Sequence, residues 1–322
     1  MLSLHKLEIF NTVIEEGSFS KAAERLLLTQ SAVSQHIQGL EAKLGTVLFN
    51  RERRGVTLTP AGETLRDYTR CILRLLAEAE SAITNVEHLS SGHIRIGATP
   101  GAGMYLLPEW LRAFQARFPK LAVSITTDVT DQIAKELIGG GLDIGLIEGE
   151  LDDEPRLAGL NLDEIDQLLI VGRDHALFGQ SSVPVTALDG LAFIARPRKS
   201  HSRQWFDRTL RRAGIVPRVV AELDTPEAIK QAVIAGVGVA LLPAYAVRYE
   251  VRAGLVSAIP ITGVALRRAL RLVWRADEPF SAVTRAFLTY LSEPYPQLLS
   301  LQMGGAQVLA EARARRFGQG AR

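Results

Sequence analysis

Residues 29–44, TQSAVSQHIQGLEAKL, constrain the fold more than any other stretch of this chain. Thr29 is a suitable N-cap, its hydroxyl able to accept from one of the first free backbone N–H groups, and Gly39 is the only helix-weakening residue that follows. At 100° per residue Val33, Ile37, Leu40 and Leu44 fall on one flank, and Ser31, Ser34, Gln35 and Gln38 on the opposite one. The first flank needs a core. The second is short, polar and uncharged, and its hydroxyls and amides can meet base edges in a major groove without burying an unpaired charge. A plain solvated face would have the same composition.

The residues around this helix narrow the choice. Leu4, Leu7, Phe10, Val13 and Ile14 predict a first amphipathic helix that stops at Gly17. Ser18 then caps an Ala-rich second helix through Ala22, Ala23, Leu26 and Leu27, and a short turn leads to Thr29. Two helices joined so tightly, with small residues where they cross, have the sequence form of a helix-turn-helix. After Leu44, apolar runs at 47–49 and 56–58 flank a basic turn and predict a two-stranded wing. Arg51, Arg53 and Arg54 stand where they can contact phosphates or enter a minor groove.

Residues 18–62, SFSKAAERLLLTQSAVSQHIQGLEAKLGTVLFNRERRGVTLTPAG, resemble the winged helix-turn-helix of the LysR-type transcriptional regulators. The Ala-Ala-Glu-Arg-Leu, Gln-Ser-Ala-Val-Ser, Leu-Phe and Leu-Thr-Pro-Ala-Gly elements occur together and in order, and the likeness in length and order extends over residues 1–300. The resemblance implies a homo-oligomer, a dimer and from it a tetramer, that binds double-stranded promoter DNA. It also implies a C-terminal region that senses a small molecule. RNA polymerase is the further partner that a promoter-bound regulator would meet.

Composition fits a protein of this kind without pointing to it. The chain has 322 residues, 47% hydrophobic and 22% charged, enough for two or three domains. Net charge is only +2, and residues 1–60 carry seven Lys/Arg against six Asp/Glu, so any affinity for nucleic acid must come from local placement. The single cysteine, Cys71, leaves no internal disulfide framework and suits a reducing compartment; on its helix it reads as packing. Glu8, Glu15 and Glu16 interrupt any signal-peptide pattern, and no run of about 18 uncharged apolar residues appears, so a cytoplasmic protein with no membrane partner is expected.

Thr59 and Pro60 open a long helix, expected over 60–90. Leu65, Ile72, Ala79 and Val86 repeat every seven residues, as do Tyr68, Leu75, Ala82 and Leu89. Two such series form an a/d seam suited to pairing with a second copy, which would give two reading heads for a dyad site. A helix docked on its own domain would use the same seam.

From residue 91 the composition changes. Short Val/Ile/Leu-rich runs at 93–98, 121–127, 143–147, 168–172, 191–195, 218–223, 237–242 and 270–274 alternate with amphipathic helical segments, predicting an α/β architecture with largely parallel sheets. The family resemblance makes this a periplasmic-binding-protein-like region of two α/β subdomains with a ligand cleft between them. The expected organisation is therefore a DNA-binding domain at 1–59, a linker helix at 60–90 and an effector-binding domain at 91–300. Within the last, subdomain I is placed at 92–163 and 268–295 and subdomain II at 164–267. A basic tail follows at 301–322, with Arg313, Arg315, Arg316 and Arg322.

Several loops here end on helix N-termini, which offer free N–H donors and a positive dipole end. Thr99, Pro100 and Gly101 follow the first strand, Thr130 the second, and Thr225 precedes Pro226; each hydroxyl is either an ordinary cap or a ligand contact. The loop 196–203, RPRKSHSR, holds four cationic side chains among eight residues ahead of a helix, favouring an anionic metabolite as effector unless it is merely a solvated basic loop. Some LysR-type regulators carry Gly-Ser-Gly-Thr-Arg here. Ser200, Ser202 and Arg203 match its Ser, Thr and Arg, while His201 replaces the second glycine, so that a bulky imidazole either obstructs the site or binds in it. Arg196, Ser200, His201, Ser202 and Arg203 are thus expected effector contacts.

Catalysis finds no support. His5, His36, His88, His93, His175 and His201 are dispersed, no HExxH, CxxC or GxSxG pattern occurs, and the acidic run Asp152, Asp153, Glu154 reads as a solvated loop. No metal or cofactor is expected. The best reading is a DNA-binding regulator that answers to a small anion. A solute-binding module would use the same cleft but leave the polar helix face and the wing without a purpose.

Overall fold

The computed structural model describes residues 2–52, 55–83, 92–151, 154–276 and 278–301. Two compact units are present. The first holds α1 (Leu4–Glu16), α2 (Phe19–Leu26), α3 (Gln30–Leu44), β1 (Phe49–Glu52), β2 (Gly55–Leu58) and α4 (Pro60–Ile83). Its helix ends follow the capping residues. Gly17 closes α1 in the left-handed conformation, the Ser18 hydroxyl accepts from Lys21 N, and the Thr29 hydroxyl accepts from Ala32 N at 3.2 Å.

Val33, Ile37 and Leu40 of α3 are buried with Phe10, Val13, Ala22, Ala23, Leu48 and Phe49 in one core. Leu44, expected on the same flank, is exposed because the core ends one turn earlier. The wing is an antiparallel hairpin in which Phe49 faces Leu58 and Glu52 faces Gly55. Thr59 ties it to α4: its hydroxyl donates to Val47 O at 2.7 Å and accepts from Gly62 N at 3.0 Å. A Cβ on Gly62 would overlap the Leu48 carbonyl oxygen, which is why the first turn of α4 carries glycine there. Leu65 is buried in the N-terminal core and Ile72 packs against it, so the start of the heptad seam serves its own domain, whereas Tyr68 is exposed. The side chains of Leu75, Ala79 and Ala82, together with Val86 and Leu89, lie outside the described residues, as do Asp152, Asp153 and the basic tail.

The second unit is α/β. Its elements are β3 (Gly92–Ala98), α5 (Pro100–Tyr105), α6 (Leu107–Arg117), β4 (Leu121–Thr127), α7 (Thr130–Ile138), β5 (Ile144–Glu148), β6 (Leu157–Gly172), β7 (Val183–Pro184), β8 (Ala192–Ala195), α8 (His201–Arg212), β9 (Arg218–Glu222), α9 (Pro226–Ile234), β10 (Ala240–Pro243), α10 (Arg248–Arg252), β11 (Val256–Ile259), β12 (Ile261–Thr262), β13 (Arg267–Arg275) and α11 (Ala282–Leu291). The segment after β3 forms two helices, α5 and α6, separated at Leu106 just before Pro108.

The sheets are mixed rather than largely parallel. β3 pairs in parallel with β4 and β5, and β8 with β9, but β13 runs antiparallel to β5 and β6, and β10 and β11 antiparallel to β6. The reason is topological. β6 leaves the first half of the unit and β13 returns to it, so the two crossings must oppose each other. β6 pairs with β13 through Asp166 and with β10 and β11 from Gln167 onward, so one 16-residue strand belongs to both halves.

Leu27, in the turn between α2 and α3, is 92% exposed with φ 55°, a left-handed conformation that branched and bulky side chains disfavour. Replacing it with asparagine, which tolerates that conformation, is expected to stabilise the N-terminal unit by about 0.5–1 kcal/mol in chemical denaturation. An unchanged or lowered midpoint would show that Leu27 is not strained.

Candidate functional site

In the N-terminal unit the capped start of α3 presents Ser31, Gln35 and Gln38 to solvent, with Ser34 half-buried beside them. The Ser31 hydroxyl lies 3.0 Å from that of Thr29. Glu41, on the last turns of the same helix, accepts from Leu48 N at 2.8 Å and so fixes α3 against the start of the wing. The result is a helix held rigidly from behind with an uncharged polar face outward. Arg53, Arg54 and the side chain of Arg51 lie outside the described residues.

In the second unit a cavity of about 90 Å³ opens where the two α/β halves meet. From the first half it is lined by Thr99, Pro100 and Gly101 at the start of α5, Val129 and Thr130 at the start of α7, and Glu148 at the end of β5. The second half contributes Arg196 just after β8 and Ser200, His201 and Ser202 at the start of α8, with Pro226 and residues 241–243. Gln167 and Arg268 enter from the two crossing strands.

The electrostatics of the floor centre on Glu148. The Tyr245 hydroxyl donates to its carboxylate, and burial together with the Glu148 charge pushes the Tyr245 pKa well above the ordinary phenol value, keeping it a donor. Arg268 donates through Nη2 to the Glu148 carbonyl at 2.5 Å and reaches its carboxylate at 3.6 Å, while its guanidinium lies 5.8 Å from the Trp205 ring centre. A Cβ on Gly101 would overlap Glu148 Oε1, so glycine is what lets α5 approach this carboxylate. Two donors are left over: Arg196 Nε and Arg268 Nε are buried with no acceptor among the described residues. Burial lowers the Arg196 pKa, partly opposed by Asp224 and Glu148, though a guanidinium stays charged regardless.

On the far side the two halves are tied again. Tyr105 donates to Glu227 at 3.2 Å, and Lys230 Nζ lies 2.8 Å from Glu227, 2.6 Å from Glu250 and 5.0 Å from the Tyr105 ring centre. Burial alone would lower the Lys230 pKa, but the two carboxylates raise it. It remains charged.

This two-part arrangement has known counterparts. Residues 4–63 match the family model for bacterial regulatory helix-turn-helix proteins of the lysR family, and residues 87–294 match the LysR substrate binding domain. The chain belongs to the LysR family. It is 33% identical over 305 residues to a probable RuBisCO transcriptional regulator of Cyanophora paradoxa, covering 93% of each chain. A full-length OxyR variant from Pseudomonas aeruginosa shares the fold, with TM-score 0.75 at 22% identity over 91% of this chain and 95% of that one. The regulatory domain of Synechocystis CcmR, solved in complex with 2-PG, matches with TM-score 0.58 at 28% identity, over 63% of this chain and 97% of that one.

This LysR-family chain is a DNA-binding transcriptional regulator, and its relatives are regulators rather than enzymes. Among the described residues no helix is long and apolar enough to cross a membrane, and no group of three or more His, Cys, Asp or Glu side chains is arranged to hold a metal.

Of the expected effector contacts, Thr99, Pro100, Gly101, Thr130, Arg196, Ser200, His201 and Ser202 are brought together around the cavity. Arg203 and Thr225 are not. Thr225 is an N-cap, its hydroxyl accepting from Ala228 N at 3.1 Å. Arg203 is 4% exposed beneath the loop, donating through Nε to Asp207 at 3.0 Å and through Nη1 to Glu222 at 2.9 Å and to the Arg196 carbonyl at 2.8 Å. Burial would lower its pKa, but these carboxylates raise it. It holds the loop in shape and does not line the cavity. Thr99 also has a local task, accepting from Glu148 N at 3.2 Å. Sequence reasoning missed Glu148, Gln167, Arg268 and Tyr245, which carry no local motif.

Arg203→Ala is therefore expected to act on stability, removing a buried guanidinium that donates to Asp207, Glu222 and the Arg196 carbonyl, at a cost of about 1.5–3 kcal/mol. Thermal denaturation of the variant checks this. An unchanged midpoint would remove Arg203 from its structural role.

Proposed function

We propose that this regulator binds an interrupted inverted repeat in promoter DNA as a homo-oligomer and that a small anionic effector, bound between the two α/β halves, adjusts that binding. In this reading residues 1–59 read DNA, 60–90 join two copies, and 91–300 bind the effector. Ser31, Ser34, Gln35 and Gln38 lie in the major groove, with Arg51, Arg53 and Arg54 on phosphates or in the minor groove. The exposed Tyr68 and the more distal seam residues of the linker helix pair with the second copy. The regulator works in the cytoplasm, where promoter DNA and RNA polymerase are within reach.

The observation that carries the effector reading is that Arg196 and Arg268, which line a cavity shared by both halves, each keep a buried Nε–H without an acceptor among the described residues. Buried polar groups ordinarily have partners, and an anion supplies two acceptors at once. The hydroxyls of Thr99, Thr130 and Ser202 line the same cavity. The complex of CcmR with 2-PG gives one instance of a small ligand on a related regulatory domain. For such a ligand to regulate, it must bind one arrangement of the protein better than another, typically by about 1–3 kcal/mol.

Selection and sequencing of genomic fragments retained by the protein at near-physiological salt tests the DNA half of the proposal, since nonspecific phosphate contacts weaken there. An enriched interrupted inverted repeat is expected, and the absence of any enriched sequence would defeat it. On the selected site, Gln35→Ala should cost about 1–3 kcal/mol and relax preference at the bases it meets, read by competition among site variants. Arg196→Ala should leave affinity for the site intact while removing the effect of 2-PG or phosphate on it. A response equal to that of the unsubstituted protein would exclude Arg196 from the effector site.

A further inference from the structure

At the exposed edge of the cleft, its mouth, a His–Asp contact joins the two halves of the second unit. His201 Nε2, on the first turn of α8, lies 3.0 Å from Asp131 Oδ1, on the first turn of α7. The two side chains are unequal. That of His201 is 24% exposed and lines the cavity beside Ser200 and Ser202, whereas that of Asp131 is 60% exposed. The charged group in contact with His201 is Asp131 from α7, and the cavity that His201 lines also holds Glu148 from β5, Arg196 just after β8 and Arg268 from β13. Glu148 is already engaged by Tyr245 and Arg268. The Asp131 carboxylate, largely exposed, is the acidic group in contact with His201.

We propose that Asp131 holds, in the free protein, the place at His201 that the effector's anionic group takes on binding. His201 is then the contact that selects for an anion at the mouth, and Asp131 is its built-in competitor. The proposal rests on the reading of the cleft as an anion site and goes further in assigning the two residues that make entry proton-dependent. An ion pair this exposed is weak, because solvent screens it and two side chains must be ordered to form it. An incoming anion can displace it when it also satisfies the idle N–H groups of Arg196 and Arg268. An acidic residue in the first turn of a helix is also ordinary dipole chemistry, so the discriminating property is coupling to His201. An imidazole changes charge between about pH 5 and pH 8, and only its protonated form attracts an anion. The contribution of His201 to anion affinity is therefore expected to fall as pH rises.

The test is calorimetric titration of the full chain with inorganic phosphate and with 2-PG between pH 5.5 and pH 8.5, using the unsubstituted protein, Asp131→Asn, His201→Asn, the double variant and Arg196→Ala. Comparing proteins at each pH cancels the titration of the ligand itself. Asp131→Asn is expected to tighten binding about twofold to fivefold at pH 6, the range open to an exposed pair. His201→Asn should weaken it at pH 6 and differ little from the unsubstituted protein at pH 8.5. In the His201→Asn background, Asp131→Asn should change nothing. Equal tightening in both backgrounds would mean that Asp131 acts by charge alone and would overturn the proposal. So would a ratio of unsubstituted to His201→Asn affinity that does not move with pH. If Arg196→Ala loses binding while both mouth variants match the unsubstituted protein throughout, the effector cleft stands and this inference falls. If the unsubstituted protein binds neither anion at millimolar concentration, the anion reading of the cleft fails and the mouth assignment with it.

Discussion

The antiparallel pairing of β6 with β13 is the constraint on which the C-terminal unit depends. Nine residues of β13 are matched along β6, with one register shift between Leu270 and Arg271, before β6 continues into the second half to pair with β10 and β11. Backbone ladders of that length leave the halves little freedom to separate. They also decide what stands in the cleft between them: Gln167 sits where β6 changes partners, and Arg268 near the start of β13. Both reach the floor by strand register rather than by loop conformation. Their neighbour Glu148 ends β5, the other partner of β13.

The floor brings a carboxylate into a cavity otherwise rich in donors, and this shapes what the cavity can hold. Glu148 is bound by the Tyr245 hydroxyl and by Arg268. It therefore consumes part of the available positive charge and fixes the two residues that lie against it. A guanidinium held on one side by a carboxylate and near an indole on the other has a defined orientation. That kind of prior ordering lowers the entropy lost when a ligand is bound.

Much of this was legible in the sequence because local rules govern it. Gly17, Ser18, Thr29 and Thr59 punctuate the N-terminal helices by side-chain chemistry alone, and the flank of Val33, Ile37 and Leu40 follows from helical period. The run 143–147 overlaps β5, every residue of which is buried, because a strand covered on both faces is largely apolar throughout. The first part of β6 escaped notice for the converse reason: Asn161, Asp163, Glu164 and Asp166 are exposed, so no apolar run marks it. Arg203 reads in the sequence as a contact at the cleft but lies beneath the loop, because a cation beside a helix start looks alike whether it faces a cavity or a carboxylate of its own half, and Glu222, its partner, is 19 residues away. Leu65 and Ile72 carry the heptad repeat and yet pack against their own domain, since the spacing of a seam does not say which surface meets it.

The cleft is thus made of two kinds of parts. Its floor comes from Glu148, Gln167 and Arg268, held in paired strands where a change of side chain is felt by the ladder and by the core behind it. Its rim comes from residues at the starts of α5, α7, α8 and α9, which are tethered by one end and answer to capping rules that several residue types satisfy. A lineage can exchange the rim while leaving the floor untouched. Such a scaffold can vary what its cleft accepts without rebuilding the paired strands behind it.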